Sequence, residues 1–134
     1  MRIRHISVMC LAAAVLVVTG CDNGPKVVKV SGTATYKGVP VPYLTLIFQP
    51  EKGRPSNGRT DDQGHFTLSY DPQVMGAVVG KHTVSAVYQD SPDTMGKPMP
   101  PTIKAITSKY GDTVNSPMKI EITGPTDDLK LEFN

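Results

Sequence analysis

The amino-acid sequence predicts an all-β domain in which two layers of strands enclose the core. Apolar and polar residues alternate in almost every segment after Lys26, which is the periodicity of a half-buried β-strand. Short segments rich in glycine, proline and aspartate separate these runs, and no segment shows a convincing helical period. Together these observations predict a sandwich of about seven antiparallel strands.

The first predicted strand is Val27–Tyr36, and Gly32 in its middle indicates a bulge or a close backbone neighbour. Lys37-Gly38 forms a turn, and the prolines of segment 39–42 exclude a central strand there. The second strand is Tyr43–Gln49. The residues expected to face inward from these two strands are Val28, Val30, Ala34, Tyr36, Leu44, Leu46 and Phe48.

The range Asn57–Ser69 predicts a β-hairpin with a tight turn at 61–64. Gly64 supplies the positive φ that such a turn requires, and the Asp61 side chain can accept hydrogen bonds from the backbone that follows it. The returning strand places Phe66 on the inner face.

The second half of the chain predicts three further strands. Segment 71–80 is expected to be a loop that tucks apolar side chains under one end of the core, and Lys81–Tyr88 is a strand. Prolines interrupt 89–115, which we expect to be irregular and therefore either functional or mobile. Strands at 118–122 and 129–133 pair across a turn. The inward residues expected here are His82, Val84, Ala86, Tyr88, Met118, Ile120, Ile122, Leu129, Leu131 and Phe133.

The amino-terminal segment has the features of a signal peptide. Two arginines near the start precede the apolar run Ile6–Val18, which is shorter than the roughly 20 residues of a membrane-spanning helix. The run ends in Val18-Thr19-Gly20-Cys21, which resembles the lipobox of bacterial lipoproteins. The alternative is a plain secretory signal followed by a chance cysteine.

The lipobox resemblance implies a lipoprotein that is exported and held on a bacterial membrane, facing the periplasm or the cell exterior. Residues 1–20 would be removed, Cys21 would carry diacyl lipid such as palmitate, and 21–26 would form a short tether to the domain at 27–134. Cys10 would leave with the signal peptide. The mature domain would then have no thiol for a disulfide, a zinc site or a nucleophile.

The charge balance of the mature chain argues against nucleic-acid binding. The whole chain has 14 basic and 12 acidic residues, and removal of Arg2 and Arg4 leaves 12 of each. A nucleic-acid-binding domain needs a basic stripe. The expected partners are therefore the membrane, through the lipid on Cys21, and an unidentified protein or polymer of the cell envelope.

Two sets of residues are candidates for ligand binding. Carboxylate pairs could begin a calcium site, although aspartate is also the ordinary residue of turns; these are Asp61, Asp62, Asp127 and Asp128. Tyrosines away from the inner faces could stack on a sugar; these are Tyr43, Tyr70 and Tyr110. Packing of the 89–115 segment onto the sandwich is the alternative role of Tyr110.

No combination of residues in the sequence indicates catalysis. The sequence contains no Gly-x-Ser-x-Gly, no His-Glu-x-x-His and no pairing of cysteine with histidine in the mature chain. His82 has no adjacent carboxylate, so we expect a hydrogen-bonded structural histidine rather than a catalytic one. We therefore expect a protein that is not an enzyme and that uses no cofactor.

Four segments together resemble the carboxypeptidase regulatory-like domain, and the resemblance covers residues 27–134. They are Val-Ser-Gly-Thr-Ala-Thr-Tyr-Lys-Gly-Val-Pro-Val (30–41), Leu-Ile-Phe-Gln-Pro (46–50), Gly-Arg-Thr-Asp-Asp-Gln-Gly-His-Phe-Thr-Leu (58–68) and Gly-Lys-His-Thr-Val (80–84). The resemblance implies a Greek-key, transthyretin-like (prealbumin-like) β-sandwich. Lys109-Tyr110, Ser116 and the two closing strands look like the variant found in small lipoproteins of planctomycete-type bacteria.

The resemblance implies a fold more specifically than a function, because members of this family are accessory domains, scaffolds or proteins of unknown role. The regulatory-like domain is the non-catalytic part of carboxypeptidases, so peptidase activity is not implied. The transthyretin-fold enzyme that hydrolyses hydroxyisourate ends in Tyr-Arg-Gly-Ser, whereas this chain ends in Lys-Leu-Glu-Phe-Asn.

Two functional hypotheses follow from the sequence. The first is a non-enzymatic, lipid-anchored β-sandwich of the cell envelope that presents loops to a protein or polymer. The alternative is a binding module for a small ligand, carbohydrate or calcium that uses the 89–115 loop.

Overall fold

Strands form most of the regular structure in the computed structural model, which describes residue 20 and residues 24–134. Residues 1–19 of the predicted signal peptide and Cys21, on which the lipoprotein prediction rests, lie outside the described residues. No helix within the described part is long and apolar enough to cross a membrane. The elements in chain order are β1 Val27–Val28, β2 Val30–Tyr36, β3 Val39–Pro40, β4 Thr45–Pro50, β5 Ser56–Arg59, β6 His65–Thr67, β7 Ser69–Asp71, β8 Val74–Met75, β9 Ala77–Val78, β10 Gly80–Val87, α1 Pro101–Tyr110, β11 Met118–Ile122 and β12 Thr126–Phe133.

The strands form two main sheets and a small third one. The larger sheet is antiparallel and has the order β11-β10-β4-β5-β7-β8. The smaller has the order β12-β2-β3, and β6 also pairs with β2. Strands β1 and β9 form a separate two-stranded pair. The predicted all-β sandwich is confirmed.

The core lies between the two main sheets and is built by the alternation of side chains along each strand. Phe48 of β4 and Phe66 of β6, one from each sheet, have ring centroids 6.2 Å apart. Full burial of an apolar side chain of this kind contributes about 1.5–3 kcal/mol. The predicted inward residues that are buried are Val28, Val30, Ala34, Leu44, Leu46, Phe48, Phe66, His82, Val84, Ala86, Ile122, Leu131 and Phe133. The predicted inward residues that are only partly buried are Tyr36, Tyr88, Met118, Ile120 and Leu129.

The stretch 57–69 makes the predicted turn but not the predicted hairpin. Strand β5 pairs with β4 and β7, whereas β6 pairs with β2 in the other sheet. Asp61 and Gly64 perform their expected turn roles: the Asp61 carboxylate accepts from two backbone N–H groups, and Gly64 has φ 76°. Turn chemistry fixes the reversal of the chain, but the choice of partner strand is made by packing.

The last strand also has a different partner from the one predicted. Strand β12 pairs in parallel with β2, not with β11, and Phe133 is the register partner of Tyr36. Gly32 allows β12 to approach β2 closely, because a side chain at this position would overlap the backbone of Leu129. The close backbone neighbour that Gly32 predicts is therefore β12.

Segment 89–115 contains a helix, so the prediction that it is wholly irregular is wrong. Pro101 occupies the first helical turn, where its missing N–H removes no hydrogen bond, and no proline follows it before Gly111. Ile103, Ile106 and Tyr110 recur at helical spacing and are buried.

Segment 71–80 is not simply a loop, because it holds the short strands β8 and β9. Ala77 is buried as expected, whereas Val74 and Met75 are exposed.

A tyrosine-lined groove as the candidate functional site

A groove of about 420 Å³ lies between the segment that follows β2 and the segment that leads from β10 into α1. This volume is within the range of small-ligand sites. Its lining is mostly apolar and contains three tyrosines and three prolines. The tyrosines are Tyr36, Tyr43 and Tyr88, and the prolines are Pro40, Pro42 and Pro100.

Tyr43 has an unusual backbone conformation at this groove. Its φ is 57°, in the left-handed region that costs a residue with a Cβ about 1–2 kcal/mol. Thr60 holds it there: the Thr60 carbonyl accepts from the N–H of Tyr43 at 3.1 Å, and the Thr60 hydroxyl accepts from the N–H of Leu44 at 2.8 Å. Thr60 is buried, whereas the Tyr43 side chain is half exposed. The strain therefore directs a large aromatic ring outward.

Two cations lie over tyrosine rings beside the groove. Lys37 Nζ is 5.3 Å from the ring centroid of Tyr36, and Arg59 Cζ is 5.9 Å from that of Tyr43. Neither cation has a carboxylate within 4.0 Å in residues 24–134, where the ion pairs are His65–Asp61 and Lys130–Asp128. Lys37 is the one charged residue among those that line the groove in this part of the chain.

The three tyrosines predicted as ligand contacts have three different environments. Tyr43 lines the groove. Tyr70 lies in β7, outside the groove, with Arg54 Cζ 5.3 Å from its ring centroid.

Tyr110 is 4% exposed, so its ring is not available for stacking on a ligand. The ring contacts Phe133 edge-on with centroids 4.9 Å apart, and its hydroxyl donates to Asn134 Oδ1 at 2.9 Å. Tyr110 therefore packs α1 onto the sandwich, which is the alternative role that the sequence suggests.

The aspartate pairs do not converge with other ligands: Asp61 and Asp62 lie at a turn, and Asp127 and Asp128 lie at the start of strand β12. The Asp61 Oδ1 atom accepts from the N–H groups of Gln63 and His65, each at 2.9 Å. Asp128 pairs with Lys130 at 2.6 Å. Among the described residues, no group of three or more histidine, cysteine, aspartate or glutamate side chains could hold a metal ion. The four aspartates therefore form no recognisable calcium site in this part of the chain.

His82 is buried and hydrogen-bonded, as the sequence predicts. It is 2% exposed, its Nε2 atom lies 2.7 Å from the carbonyl oxygen of Val78, and its ring meets Phe48 edge-on with centroids 6.0 Å apart. A carbonyl can only accept, so Nε2 donates this hydrogen bond. Nδ1 is buried and has no hydrogen-bond partner in the described structure.

A larger depression, of about 670 Å³, lies over β4, β10 and β11. Its charged side chains are two lysines and two glutamates, and the imidazole of the buried His82 is its one aromatic ring, with no tyrosine or phenylalanine among its lining residues. Lys119 Nζ already donates to Thr83 Oγ1 at 2.8 Å. As a candidate ligand site, this depression is favoured by its volume, whereas the tyrosine groove is favoured by its three tyrosines and its mostly apolar lining.

Sequence reasoning found one of the three groove tyrosines. Tyr36 and Tyr88 alternate with core residues and were expected to face inward; both are half buried and present the rest of their surface to the groove. One feature of the sequence could have indicated the groove. The apolar segment Val39-Pro40-Val41-Pro42 lies directly before Tyr43, and its prolines keep it out of the interior of a sheet.

No family model matches this chain, and no curated protein or solved structure matches it either.

Proposed function

We propose that this chain is a non-enzymatic, lipid-anchored domain of the bacterial cell envelope whose tyrosine groove binds an extended segment of a protein or polymer partner. The observation that carries the proposal is the groove itself. It combines three aromatic rings with three prolines, and one ring is held outward in a strained backbone conformation. Strain of this kind is concentrated at functional positions in proteins.

The proposal includes the finer identity of the fold as a transthyretin-like, Greek-key sandwich of the carboxypeptidase regulatory-like type. The segments that carry this resemblance form β2 with its turn into β3, the end of β4, the crossing from β5 to β6, and the start of β10. An accessory role for such domains agrees with a binding groove and the absence of catalytic motifs from the sequence.

The anchor is proposed from the sequence, with Cys21 as the lipidated residue. Strand β1 begins at Val27, so only the short tether 22–26 separates the cysteine from the folded domain. Five extended residues span at most about 17 Å, so the proposed anchor would hold the domain close to the lipid headgroups.

Metabolic labelling with a palmitate analogue tests the anchor. We expect Cys21→Ser to lose the label and to leave the membrane fraction, because the acyl chains would have no attachment point. Cys10→Ser is the matched control and should label normally. Equal labelling of the wild type and the Cys21 variant would contradict the proposal.

Cross-linking in intact cells tests the groove. A photoreactive phenylalanine analogue placed at Tyr43 should capture a discrete partner that the same analogue at Tyr70 does not capture, since both rings lie beside an arginine but only one lines the groove. Indistinguishable adducts from the two positions would contradict a partner site in the groove.

The second candidate function, a binding module for a small ligand or carbohydrate, uses the same groove. The 89–115 segment contributes Thr94, Pro100, Thr102 and Ile103 to its lining. A saturable thermal stabilisation by a small ligand, lost in Tyr43→Ala and retained in Tyr70→Ala, would favour this function. Calcium should give no such stabilisation, because the aspartates converge with no further acidic, histidine or cysteine ligand among the described residues.

A further inference from the structure

The geometry points to a proline-rich peptide segment that carries acidic side chains as the occupant of the tyrosine groove. This inference rests on the proposed function and specifies the chemical class of the partner. The partner would bind in the polyproline II conformation, with its prolines against the rings and its carboxylates near Lys37 and Arg59.

The walls of the groove suit the surface of a polyproline II helix. Such helices are recognised by grooves lined with aromatic rings, which accept the flat faces of proline side chains. Pro100 already contributes to one wall, and its own φ of −56° and ψ of 143° lie in the polyproline II region. The groove is therefore closed on one side by a residue of the same conformation as the proposed occupant.

Tyrosine hydroxyls supply the hydrogen-bond donors that this occupant needs. A polyproline II segment makes no internal hydrogen bonds and its backbone is solvated, so any carbonyl group that loses water in the groove requires a donor from the binding surface. The hydroxyls of Tyr36, Tyr43 and Tyr88 make no hydrogen bond to another residue in the described part of the chain. Tyrosine presents an apolar ring and a donor from one side chain, which matches both requirements.

The same lining disfavours a carbohydrate. A sugar has many hydroxyl groups, and each that is buried without a partner reduces affinity. Besides the tyrosines, the groove offers the hydroxyls of Thr94 and Thr102, and Thr94 Oγ1 already accepts from the N–H of Ser91 at 2.8 Å.

Charge complementarity gives the occupant its acidic character. Lys37 and Arg59 lie over the rings of Tyr36 and Tyr43, and no carboxylate of residues 24–134 is within 4.0 Å of either. The nearby Glu132 carboxylate is engaged by the Thr35 hydroxyl and by the N–H of Gly38. A carboxylate on the partner would therefore complete ion pairs that this chain leaves open.

The test is calorimetric titration of the full lipidated protein, in detergent micelles, with capped peptides of Pro-Pro-Glu repeats. Repeats of Pro-Pro-Gln keep the conformation but remove the charge. Repeats of Gly-Gly-Glu keep the charge but lose the preformed conformation. We expect the Pro-Pro-Glu peptide to bind about two- to fivefold more tightly than the glutamine peptide at low salt, and this difference to vanish in Lys37→Gln with Arg59→Gln. The Gly-Gly-Glu peptide should bind at least about tenfold more weakly, because it lacks the preformed conformation.

Variants locate the binding. Tyr88→Ala should weaken it at least about tenfold, and Tyr43→Ala provides a second, half-exposed position whose loss does not open the core. Tyr70 and Arg54 form a similar tyrosine–arginine pair outside the groove. The control variants Tyr70→Ala and Arg54→Gln each disrupt that pair and should leave binding unchanged.

Three results would overturn the inference: no binding of the Pro-Pro-Glu peptide at millimolar concentration, equal binding of the glutamic acid and glutamine peptides, or equal binding of the Gly-Gly-Glu peptide. Binding of an acidic oligosaccharide with the same dependence on Tyr43 would also overturn it, while the proposed function would stand. Loss of the groove-specific cross-link in cells would instead reject the proposed function itself.

Discussion

At Tyr43, the backbone preference of the residue and the tertiary structure disagree. A residue with a branched or bulky side chain avoids positive φ, yet hydrogen bonds from Tyr43 and Leu44 to Thr60 hold this tyrosine at 57°. The result is a ring that stands at the groove, just before strand β4 begins at Thr45. Binding rather than stability is the property that this conformation serves in the proposed function.

Replacement of Tyr43 by glycine separates the effect of this residue on stability from its effect on binding. Tyr43→Gly should be more stable than Tyr43→Ala by about 1 kcal/mol, because glycine has no Cβ to penalise the left-handed conformation. Urea denaturation monitored by circular dichroism measures the difference. Both variants should lose groove binding equally. A glycine variant that is less stable than the alanine variant would contradict the account of strain.

At the scale of the element, helix α1 closes the sandwich against Phe133 and buries three of its own side chains. Ile106 is fully buried on this helix, so Ile106→Ala should lower the free energy of unfolding by about 2–5 kcal/mol through lost burial and a residual cavity. Ser108→Ala, on the exposed face of the same helix, is the control and should change stability little. Similar stabilities for the two variants would contradict the packing of α1 described above.

The pairing of β2 with β12 depends on the absence of a side chain at Gly32. Gly32→Ala should destabilise the protein by at least about 2 kcal/mol, since the added Cβ would overlap the Leu129 backbone and force the strands apart. Gly124→Ala, where a Cβ would meet no atom within 4 Å, is the matched control. Thermal melting of both variants distinguishes this contact from a general effect of glycine replacement.

At the scale of the whole molecule, exposed carboxylates couple stability to pH. The pKa of Glu132 is lowered from its ordinary value of 4.5, first by the Thr35 hydroxyl and then by the N–H of Gly38. The pKa of Asp112 is lowered from 3.8, first by the side chain of Asn115 and then by the N–H groups of Asn115 and Val114. Depressed folded-state pKa values mean that the unfolded chain takes up protons first as the pH falls.

We therefore expect the contribution of these groups to be complete above the ordinary pKa values and to be lost as the pH falls through the lowered ones. The melting temperature should decline below about pH 4.5. Glu132→Gln should make this decline shallower, because one titrating group is removed, while Glu51→Gln serves as an exposed control. Identical pH profiles for wild type and Glu132→Gln would exclude this coupling.

Local patterns predicted a large part of the fold. Alternation along the predicted strands identified the buried faces, Gly32 identified a close backbone neighbour, and Asp61 with Gly64 identified a turn. These features depend on residues that are close in sequence. Helix α1 was missed because the flanking prolines outweighed a short stripe of apolar residues, although Pro101 is well placed to begin a helix.

The sequence by itself determined that the chain forms strands, most of the side chains that those strands bury, and the turn at 61–64, because each follows from residues a few positions apart. Only the tertiary structure decided that β6 and β12 both pair with β2, and that Tyr36, Tyr43 and Tyr88 meet in one groove. Strand partners and groove walls depend on residues far apart in the chain, whose approach is decided by how the two sheets and the helix pack together.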